Sequence, residues 1–352
     1  MSKSQSPVRV GLVGAGANTR RRHIPGLTAI DGVSITGVVN STPESSRQAA
    51  EEFGIAAVFD DWQSLVHSDE VDAVVIGTWP DLHADITVAA LEAGKHVLCE
   101  ARMAANLADA RRMRQAAKDH KKLTAQIVPS PFGLEIGPVV KQLVDDFFIG
   151  DLREVLVLGV EDTFWDYTRP IHPRQQRERS GVNTMTLGIL YETVRRWVPK
   201  AERVFAQTQT FEPSRPDPDA GDHVTVDVPD SMQVLAELKG GVRATFAISS
   251  AALFGPGKQV HLYGSRGTVV VEFDPEERAL AARAGDAELK PVDVPMDLAG
   301  SWNVEADFIA SVRGETPVTL NDFATGVDYM EFTEAAVRSG QTGQPVELPL
   351  DR

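Results

Sequence analysis

The sequence predicts two domains of different architecture: an α/β domain with a doubly wound parallel sheet, then an α+β domain built on a large, mostly antiparallel sheet. The chain has 352 residues, more than one hydrophobic core usually supports. Up to Val128, short apolar runs alternate with amphipathic stretches, as in parallel sheets with crossover helices. After Pro129, strand-like runs follow one another without helices between them, which favours antiparallel pairing. We therefore divide the chain into residues 1–128 and 129–352.

In the first domain the strand candidates are continuous apolar runs, as expected of parallel strands covered on both faces. They are Val8–Val13, Val33–Val39, Ala73–Gly77, His96–Cys99 and Leu123–Val128. The helices predicted between them are Glu44–Phe53, Leu82–Ala93 and Leu107–Asp119. Ligands of such sheets bind at the carboxyl ends of the strands.

In the second domain the predicted strands are bounded by glycine-rich turns. They are Leu152–Glu161, Arg203–Gln209, Met232–Leu238, Val242–Ser249, Gln259–Tyr263 and Thr268–Phe273. Apolar residues at helical spacing predict helices over Phe308–Arg313 and Phe323–Val337. The proline-bounded segment Pro213–Pro218 is predicted to be a surface loop.

The composition is that of a globular protein, with 42% hydrophobic and 24% charged residues. A net charge of −15 argues against nucleic acid or an anionic membrane as the main partner. The single cysteine, Cys99, has no internal disulfide partner, which fits a cytoplasmic location. No apolar run is long enough to span a membrane, and Met1–Pro7 lacks the apolar segment of a signal peptide.

A glycine turn directly after the first strand predicts a dinucleotide site. Its residues are Gly14, Ala15, Gly16, Ala17, Asn18, Thr19 and Arg20. Glycines at this point let the backbone turn tightly and let a pyrophosphate approach the following helix N-terminus. Thr19 stands where the usual third glycine would be.

The end of the second strand bears on which dinucleotide is bound. Asn40, Ser41 and Thr42 occupy the place where an acidic residue would bind the ribose 2′-hydroxyl. Without that carboxylate, we expect NAD or NADP, with NADP accepted at least as well as NAD. The alternative is that Asn40 simply holds the ribose of NAD.

The chain resembles the glucose–fructose oxidoreductase/inositol dehydrogenase (Gfo/Idh/MocA) family along almost its entire length. The segments that carry the resemblance are Gly14–Leu27, Ala89–Glu100, Val260–Thr268 and the tail from Asp307 to Pro345. The resemblance implies a Rossmann domain, a C-terminal domain with a large sheet, NAD or NADP, and a sugar, cyclitol or related polyol as substrate. It also places Thr78, His83 and Glu100 near the cofactor.

The chain departs from the family at the residues that move protons. The family's catalytic lysine corresponds to Ala101, and the proline after it to Arg102. In the second motif, Thr186, Leu190 and Thr193 stand for the family's Asp, His and Asp. Oxidation of an alcohol needs a base for the hydroxyl proton, so the sequence predicts a divergent member that lacks the usual catalytic Lys, Asp and His.

An Arg/Pro-rich segment and the helix of the second motif contain residues that could replace the family's acid/base groups. His172 or Tyr191 would act as acid or base, and Arg102 would stabilise an oxyanion without moving a proton. The predicted substrate contacts are Trp165, Arg169, Arg174 and Glu192. Alternatively, His172 is a solvated loop histidine, Tyr191 packs in the core, and Glu192 pairs with an arginine of its own helix. His23, beyond the glycine turn, is expected to be structural.

The leading interpretation is an NAD(P)-dependent oxidoreductase for a sugar-like or polyol substrate with altered proton transfer. A second hypothesis is a lyase or hydrolase that uses bound NAD for a transient oxidation, and a third is a cofactor-binding protein without catalysis. Scattered histidines and a single cysteine predict no metal site. A wide sheet with little helical cover predicts a homodimer or homotetramer.

Overall fold

The computed structural model describes residues 7–351. Residues 1–6 and 352 lie outside the described part, and with them nearly all of the Met1–Pro7 segment considered above as a signal sequence. The chain divides into two compact units, residues 1–129 with 303–328 and residues 130–302 with 329–352. Within residues 7–351 no helix is both long and apolar enough to cross a lipid bilayer.

The first unit contains a six-stranded sheet in which all paired strands are parallel, with the order β3-β2-β1-β4-β5-β6. The strands are β1 (Val8–Val13), β2 (Val33–Val39), β3 (Ala57–Val58), β4 (Ala73–Ile76), β5 (His96–Cys99) and β6 (Ala125–Ile127). A π-helical segment, Thr19–His23, precedes the helices. These are α1 (Ile24–Thr28), α2 (Pro43–Phe53), α3 (Trp62–Val66), α4 (Pro80–Glu92) and α5 (Leu107–Asp119).

The predicted doubly wound parallel sheet is confirmed, and its strands are buried as continuous runs. All four residues of β4 are buried, for example, because helices cover both faces. The sequence pattern missed β3 and α3, which span two and five residues. Elements that short do not complete a recognisable apolar period.

The second unit is built on a nine-stranded sheet with the order β16-β15-β14-β13-β7-β12-β11-β8-β17. It begins with α6 (Gly137–Asp145), β7 (Leu152–Val160), α7 (Arg177–Ser180), α8 (Leu187–Arg195) and β8 (Ala201–Gln209). There follow β9 (Ser214–Asp217), β10 (Asp222–Thr225), β11 (Ser231–Leu238), β12 (Val242–Ser249), β13 (Gly257–Gly264), β14 (Gly267–Glu272), β15 (Arg278–Arg283), β16 (Lys290–Pro291) and β17 (Val346–Glu347). The β7–β12 pair is parallel and the other pairs are antiparallel, which confirms the mostly antiparallel sheet.

The last two helices are α9 (Val304–Val312) and α10 (Phe323–Thr342). Residues 303–328, which the sequence division assigns to the second domain, lie in the first unit. The chain returns here to the free edge of β6, where Gln126 bridges Asp322 and the Ile127 N–H donates to the Asn321 carbonyl at 2.9 Å. Such a long-range return leaves no trace in local sequence patterns.

One face of the nine-stranded sheet is packed and the other is open. On the packed face, Tyr191 of α8 stacks flat on Phe332 of α10 with ring centroids 3.7 Å apart. Phe246 of β12 lies 5.1 Å from Phe332 in the same buried cluster. On the open face of β11, alternate residues such as Leu235 and Glu237 are exposed.

The predicted surface loop over Pro213–Pro218 is wrong for its central residues. Ser214–Asp217 form β9, which pairs with β10 in an antiparallel two-stranded sheet. Proline is compatible with an edge strand, and Pro216 uses its carbonyl to accept a hydrogen bond from Ile171 N–H at 2.8 Å. Arg215, in the middle of β9, is 1% exposed.

Candidate active site

The residues predicted to bind the cofactor follow four neighbouring strands of the parallel sheet. Gly14 comes directly after β1, Asn40 after β2, Thr78 shortly after β4 and Glu100 directly after β5. Because the carboxyl ends of parallel strands meet at one edge, the sheet brings these predicted cofactor residues together.

The glycine turn is shaped by Gly14 and by a close approach of β4. Gly14 has φ +91°, and an added Cβ would lie 2.7 Å from the carbonyl carbon of Gly77. Thr19, at the place of the third glycine, is buried and donates its hydroxyl to the Gly14 carbonyl at 3.0 Å. Gly16 and Ala17 at the crest of the turn are exposed, so the turn offers backbone to a ligand there.

Asn40 fixes the shape of the same turn. Its Oδ1 accepts from the Ala15 N–H at 2.7 Å and its Nδ2 donates to the Ser45 carbonyl at 2.9 Å. Thr42 is the N-cap of α2 and accepts from the Ser45 N–H at 3.1 Å. Ser41 is exposed beside them.

Arg20 is held against the turn rather than projecting from it. Its Nε donates to the Ala15 carbonyl at 2.9 Å, and its guanidinium is paired with Glu52 of α2. The predicted anion contact through Arg20 would have to compete with that carboxylate.

His83 braces two loops beside the turn and does not present its side chain to a ligand. Its Nε2 lies 3.0 Å from the Thr78 carbonyl oxygen and its Nδ1 lies 3.0 Å from that of Arg102. Burial lowers the pKa of His83 and outweighs these backbone contacts. The predicted direct cofactor contact through this side chain is therefore corrected to a structural one.

Glu100 lies in a buried cluster with His23 and Glu305. His23 Nε2 donates to Glu100 Oε1 at 2.9 Å, and His23 Nδ1 donates to Glu305 Oε1 at 2.6 Å. Asn18 of the glycine turn donates its amide to the same Oε1 of Glu100. Sequence reasoning missed Glu305, because it lies far along the chain and no local pattern joins it to His23.

Ala101 and Arg102 follow Glu100, at the positions where the family resemblance predicts a catalytic lysine and a proline. The Ala101 N–H donates to Glu100 Oε2 at 3.2 Å. The peptide between Ala101 and Arg102 is cis. Arg102 is buried, and its predicted role towards an oxyanion stays a prediction.

In the second unit, two of the positions at which the family resemblance predicts acid/base groups are occupied by residues packed against the sheet. Leu190 of α8 is fully buried, and Thr186 precedes the helix. Both lie against β7 at Gly159, where an added Cβ would be 2.8 Å from Leu190 Cδ1 and 2.6 Å from Thr186 Oγ1. Neither Leu190 nor Thr186 has the pKa of a base that works near neutral pH.

Tyr191 is a core residue, which corrects its predicted role as an acid. The side chain is 2% exposed and its ring stacks on Phe332. Its hydroxyl accepts from the Ala201 N–H at 3.0 Å. The sequence held a signal for this, because Leu187, Leu190, Tyr191 and Val194 follow the i, i+3, i+4, i+7 spacing of a buried stripe.

Glu192 is also corrected, from a substrate contact to an internal ion pair. It is 2% exposed, and its Oε1 lies 2.5 Å from Arg196 Nη2. Its Oε2 accepts from the Ser130 N–H. Arg196 in turn donates to the carbonyls of Ser130 at 3.0 Å and Phe132 at 2.9 Å. Helix α8 thus anchors residues 130–132.

His172 is half-buried and caps the short 3₁₀ helix Pro173–Gln175. Its Nδ1 accepts from the Arg174 N–H at 3.1 Å. Burial lowers the pKa of His172, and the charge of Arg174 lowers it further. A neutral ring with Nδ1 as acceptor carries its proton on Nε2, which makes Nε2 a potential hydrogen-bond donor. The predicted role of His172 as acid or base stays a prediction.

The predicted substrate contacts Trp165, Arg169 and Arg174 lie on the surface of the same segment. Trp165 is 48% exposed, and Arg169 pairs with Asp166 at 3.3 Å. Sequence reasoning missed Arg215, which donates to the carbonyls of Phe164 and Asp166, on either side of Trp165. The sequence contains no sign of a buried role for Arg215, because the prolines near it predict a surface loop.

Comparison with known families now identifies the chain. The sequence profile described as an oxidoreductase family with an NAD-binding Rossmann fold, Gfo/Idh/MocA, matches residues 8–127, and the Gfo/Idh/MocA C-terminal domain matches residues 139–270. The chain belongs to the Gfo/Idh/MocA family. The predicted family, and with it an oxidoreductase with an NAD-binding fold, is confirmed.

Several known members of the Gfo/Idh/MocA family are similar to this chain. The dTDP-3,4-didehydro-2,6-dideoxy-α-D-glucose 3-reductase of Streptomyces violaceoruber is 35% identical over 150 residues, which are 42% of each protein. The inositol 2-dehydrogenase of Gluconacetobacter diazotrophicus is 26% identical over 96% of each. A levoglucosan dehydrogenase, solved in complex with NADH and L-sorbose, superposes with a TM-score of 0.87 at 23% identity over 97% of this chain and 99% of that one, and shows the same fold.

The residues of the glycine turn fit the dinucleotide that the family implies. At Gly16 an added Cβ would meet a single neighbouring atom within 4 Å, the Gly77 carbonyl oxygen at 3.6 Å. The space over Gly16 is therefore free of protein, and a phosphate group can approach the backbone there. Within the described residues no group of three or more histidine, cysteine, aspartate or glutamate side chains is arranged to hold a metal ion.

Proposed function

We propose that this protein is an NAD(P)-dependent oxidoreductase for a sugar, cyclitol or related polyol in which the family's acid/base set is replaced. The observation that carries the proposal is the intact cofactor edge of the parallel sheet. There Gly14, Asn40 and Glu100 follow neighbouring strands, and Gly16 leaves room for a phosphate. The substrate class is supported by relatives that act on inositol and levoglucosan, as their names state.

When bound, the nicotinamide ring accepts or donates the hydride. The chain's own residues then have two tasks, to hold the substrate and to stabilise charge on its oxygen. We assign the second task to His172, whose neutral ring carries a proton on Nε2 while Arg174 N–H occupies Nδ1. A neutral imidazole that donates to a carbonyl oxygen polarises it without giving up its proton, and the alkoxide that remains after hydride transfer takes its proton from water. Arg215 binds the backbone carbonyls of the two residues that flank Trp165, and Trp165 offers an aromatic face to a sugar ring.

The deciding experiment is an assay of the purified protein with NAD and NADP against inositols, anhydrosugars and glucosides, and in reverse against the corresponding ketones. Net formation of NADH or NADPH supports the proposal. Product formation with catalytic NAD and no net NADH would instead indicate a lyase or hydrolase that oxidises its substrate transiently. Cofactor binding without any turnover would indicate a binding protein. Either of these two results contradicts the proposal.

We expect NADP to bind at least as tightly as NAD. No carboxylate follows β2, and the exposed hydroxyl of Ser41 is available to a 2′-phosphate. Asn40 cannot turn towards the ribose without releasing the Ala15 N–H and the Ser45 carbonyl. Dissociation constants for both cofactors test this, and a strong preference for NAD would contradict it.

The open face of the nine-stranded sheet is proposed to bind a second copy of the chain. Strand register places Arg203, Glu237, Arg243 and Glu154 side by side in one row of alternating charge. The neighbouring row contains Phe205, Leu235, Thr245 and Leu156. A row of alternating charge is complementary to its own copy after a two-fold rotation, and the apolar row beside it favours burial.

Light scattering of wild type and of Leu235→Arg tests this interface. Leu235 is 57% exposed in the centre of the apolar row, so a charge there opposes association without touching the core. Leu289→Arg, at a 39% exposed leucine outside the two rows, is the matched control. We expect a dimer or tetramer for wild type and the control, and monomers for Leu235→Arg. A monomeric wild type at micromolar concentration would contradict the proposal.

A further inference from the structure

A buried ionic cluster lies behind the glycine turn, and the proposed chemistry does not use it. This His23 cluster consists of His23, Glu100 and Glu305, which come from the π-helical segment, the end of β5 and the first turn of α9. The His23 side chain is 0% exposed, and those of Glu100 and Glu305 are 15% and 5% exposed. Carboxylates buried to this extent are costly unless a charge and hydrogen bonds compensate them.

His23 provides that compensation only as an imidazolium. Each of its ring nitrogens lies within hydrogen-bond distance of a different carboxylate, at 2.9 Å and 2.6 Å. A neutral ring has one N–H and would leave one carboxylate facing a lone pair. Burial by itself lowers the pKa of His23, but hydrogen bonds to Glu100 and then Glu305 outweigh it and raise the pKa to about 9.

The cluster is joined directly to the cofactor edge. Glu100 Oε1, which accepts from His23, also accepts from the side-chain amide of Asn18 in the glycine turn. Glu100 Oε2 accepts from the Ala101 N–H at 3.2 Å. Glu305 reaches His23 past Gly26, where an added Cβ would lie 2.8 Å from Glu305 Oε2. The absence of a side chain at Gly26 is thus a condition for this arrangement.

We propose that His23 is a positioning residue of the cofactor site, which as an imidazolium holds Glu100 against Asn18 and so fixes the glycine turn. Glu305 holds the opposite side of the His23 ring and keeps it in place. His23 itself touches no part of the proposed cofactor surface, because it is buried. The inference rests on the proposed cofactor site, and it assigns His23 and Glu305 a role beyond the fold.

Three further titratable groups near the cluster do not replace His23 as the compensating cation. Glu100 acts on the pKa values of His83 and Cys99, and Glu305 acts on the pKa of Asp307. Burial lowers the pKa of His83, burial raises the pKa of Cys99, and burial together with Glu305 raises the pKa of Asp307. None of these shifts places a positive charge beside Glu100.

The pH dependence follows from the direction of the His23 shift. Its pKa in the folded protein, about 9, lies above the ordinary value of 6.5. The stabilisation from the cluster is therefore fully present below about pH 6.5 and is lost as the pH rises through about 9. Cofactor affinity should fall over the same upper range, because the neutral ring no longer holds Glu100.

Calorimetric titration with NAD and NADP compares wild type, His23→Gln, Glu305→Gln and the control His67→Gln, which changes an exposed histidine. We expect His23→Gln to bind about 10- to 100-fold more weakly at pH 7, as for loss of a charged hydrogen bond, and to show no further change between pH 8 and 10. Wild type and His67→Gln should weaken over that range. Wild-type affinity and pH profile in a folded His23→Gln would overturn the inference.

Proton NMR of the wild-type histidines provides a measurement that does not depend on a variant's folding or on turnover. We expect the His23 ring to titrate with a midpoint near 9 and this signal to be lost in His23→Gln or displaced to lower pH in Glu305→Gln. A midpoint at or below 6.5 would overturn the inference. Failure of wild type to bind either cofactor would instead contradict the proposed function, and the two failures are thereby distinguished.

Discussion

Substitutions at Gly16 and Gly14 distinguish effects on the stability of the fold from effects on cofactor binding. Gly14 has φ +91°, and its missing Cβ lets β4 approach, so Gly14→Ala strains the protein itself. At Gly16 an added Cβ makes only an ordinary contact, 3.6 Å from the Gly77 carbonyl oxygen. The folded protein therefore tolerates a side chain at Gly16, but that side chain would occupy the space in which a phosphate is proposed to bind.

Substitutions at Gly16 are expected to affect cofactor binding, whereas a substitution at Gly14 is expected to affect the free energy of unfolding. Gly16→Ala should leave the free energy of unfolding unchanged or raise it by up to about 1 kcal/mol, because the unfolded chain loses freedom. Gly16→Leu should displace the pyrophosphate from the backbone N–H groups. Loss of two charge-assisted hydrogen bonds, at about 1.5–3 kcal/mol each, weakens binding by about 10²- to 10⁴-fold. Gly14→Ala should lower the free energy of unfolding by about 1–3 kcal/mol.

The assay pairs urea unfolding with calorimetric titration of NAD and NADP for all three variants. Normal unfolding of Gly16→Leu together with lost binding would place the pyrophosphate over Gly16. Unchanged affinity in Gly16→Leu would refute the reasoning, since the ligand would then not approach the turn. Unchanged stability in Gly14→Ala would refute the assigned tight approach of β4.

Four further substitutions test the second unit. His172→Asn keeps an N-cap acceptor but loses the Nε2–H, so its kcat should fall about 10²- to 10³-fold. Tyr191→Phe should keep the wild-type kcat and lose about 1–3 kcal/mol of stability, since it leaves a buried N–H without an acceptor. Equal kcat values for these two variants would contradict the pair of predictions. Glu192→Gln should cost about 3–5 kcal/mol in chemical unfolding, because it removes the buried carboxylate charge that pairs with Arg196, and a loss below 1 kcal/mol would contradict that. Arg215→Lys should raise KM more than it lowers kcat, because it loosens the segment that carries Trp165; an unchanged KM would show that this segment does not contact substrate.

The sheets could be predicted from the sequence because their burial is periodic or continuous. Residues of β11 alternate between buried and exposed, and those of β4 are buried without interruption, so each signal is contained in a few neighbouring residues. The glycine turn was found for the same reason, since strand, turn and helix follow one another. The return of residues 303–328 to β6 depends on a partner nearly two hundred residues away in the chain, and no short-range pattern contains it.

Side-chain roles were harder to predict, because the same residue type serves packing and chemistry. Their place in the family motif predicts a catalytic role for Tyr191 and a substrate contact for Glu192, yet both side chains are 2% exposed. For Tyr191 the buried stripe of α8 was readable in advance. For Glu192 the alternative of an ion pair with an arginine of its own helix agrees with its contact to Arg196. His23 was read as structural, and its link to Glu100 and Glu305 became visible only in three dimensions.

Leu190, at a position where the family resemblance predicts a histidine, is part of the packing of the sheet. Leu190 is fully buried, and Gly159 of β7 has no side chain to hold it away. A histidine placed there without other changes would be buried against an apolar strand, where desolvation lowers its pKa and a polar ring without partners costs stability. A histidine at this position would therefore depend on changes in its neighbours, and we do not expect Leu190→His alone to supply a working base. We propose that a catalytic group comes instead from the segment around His172, which is fixed by its cap and by β9.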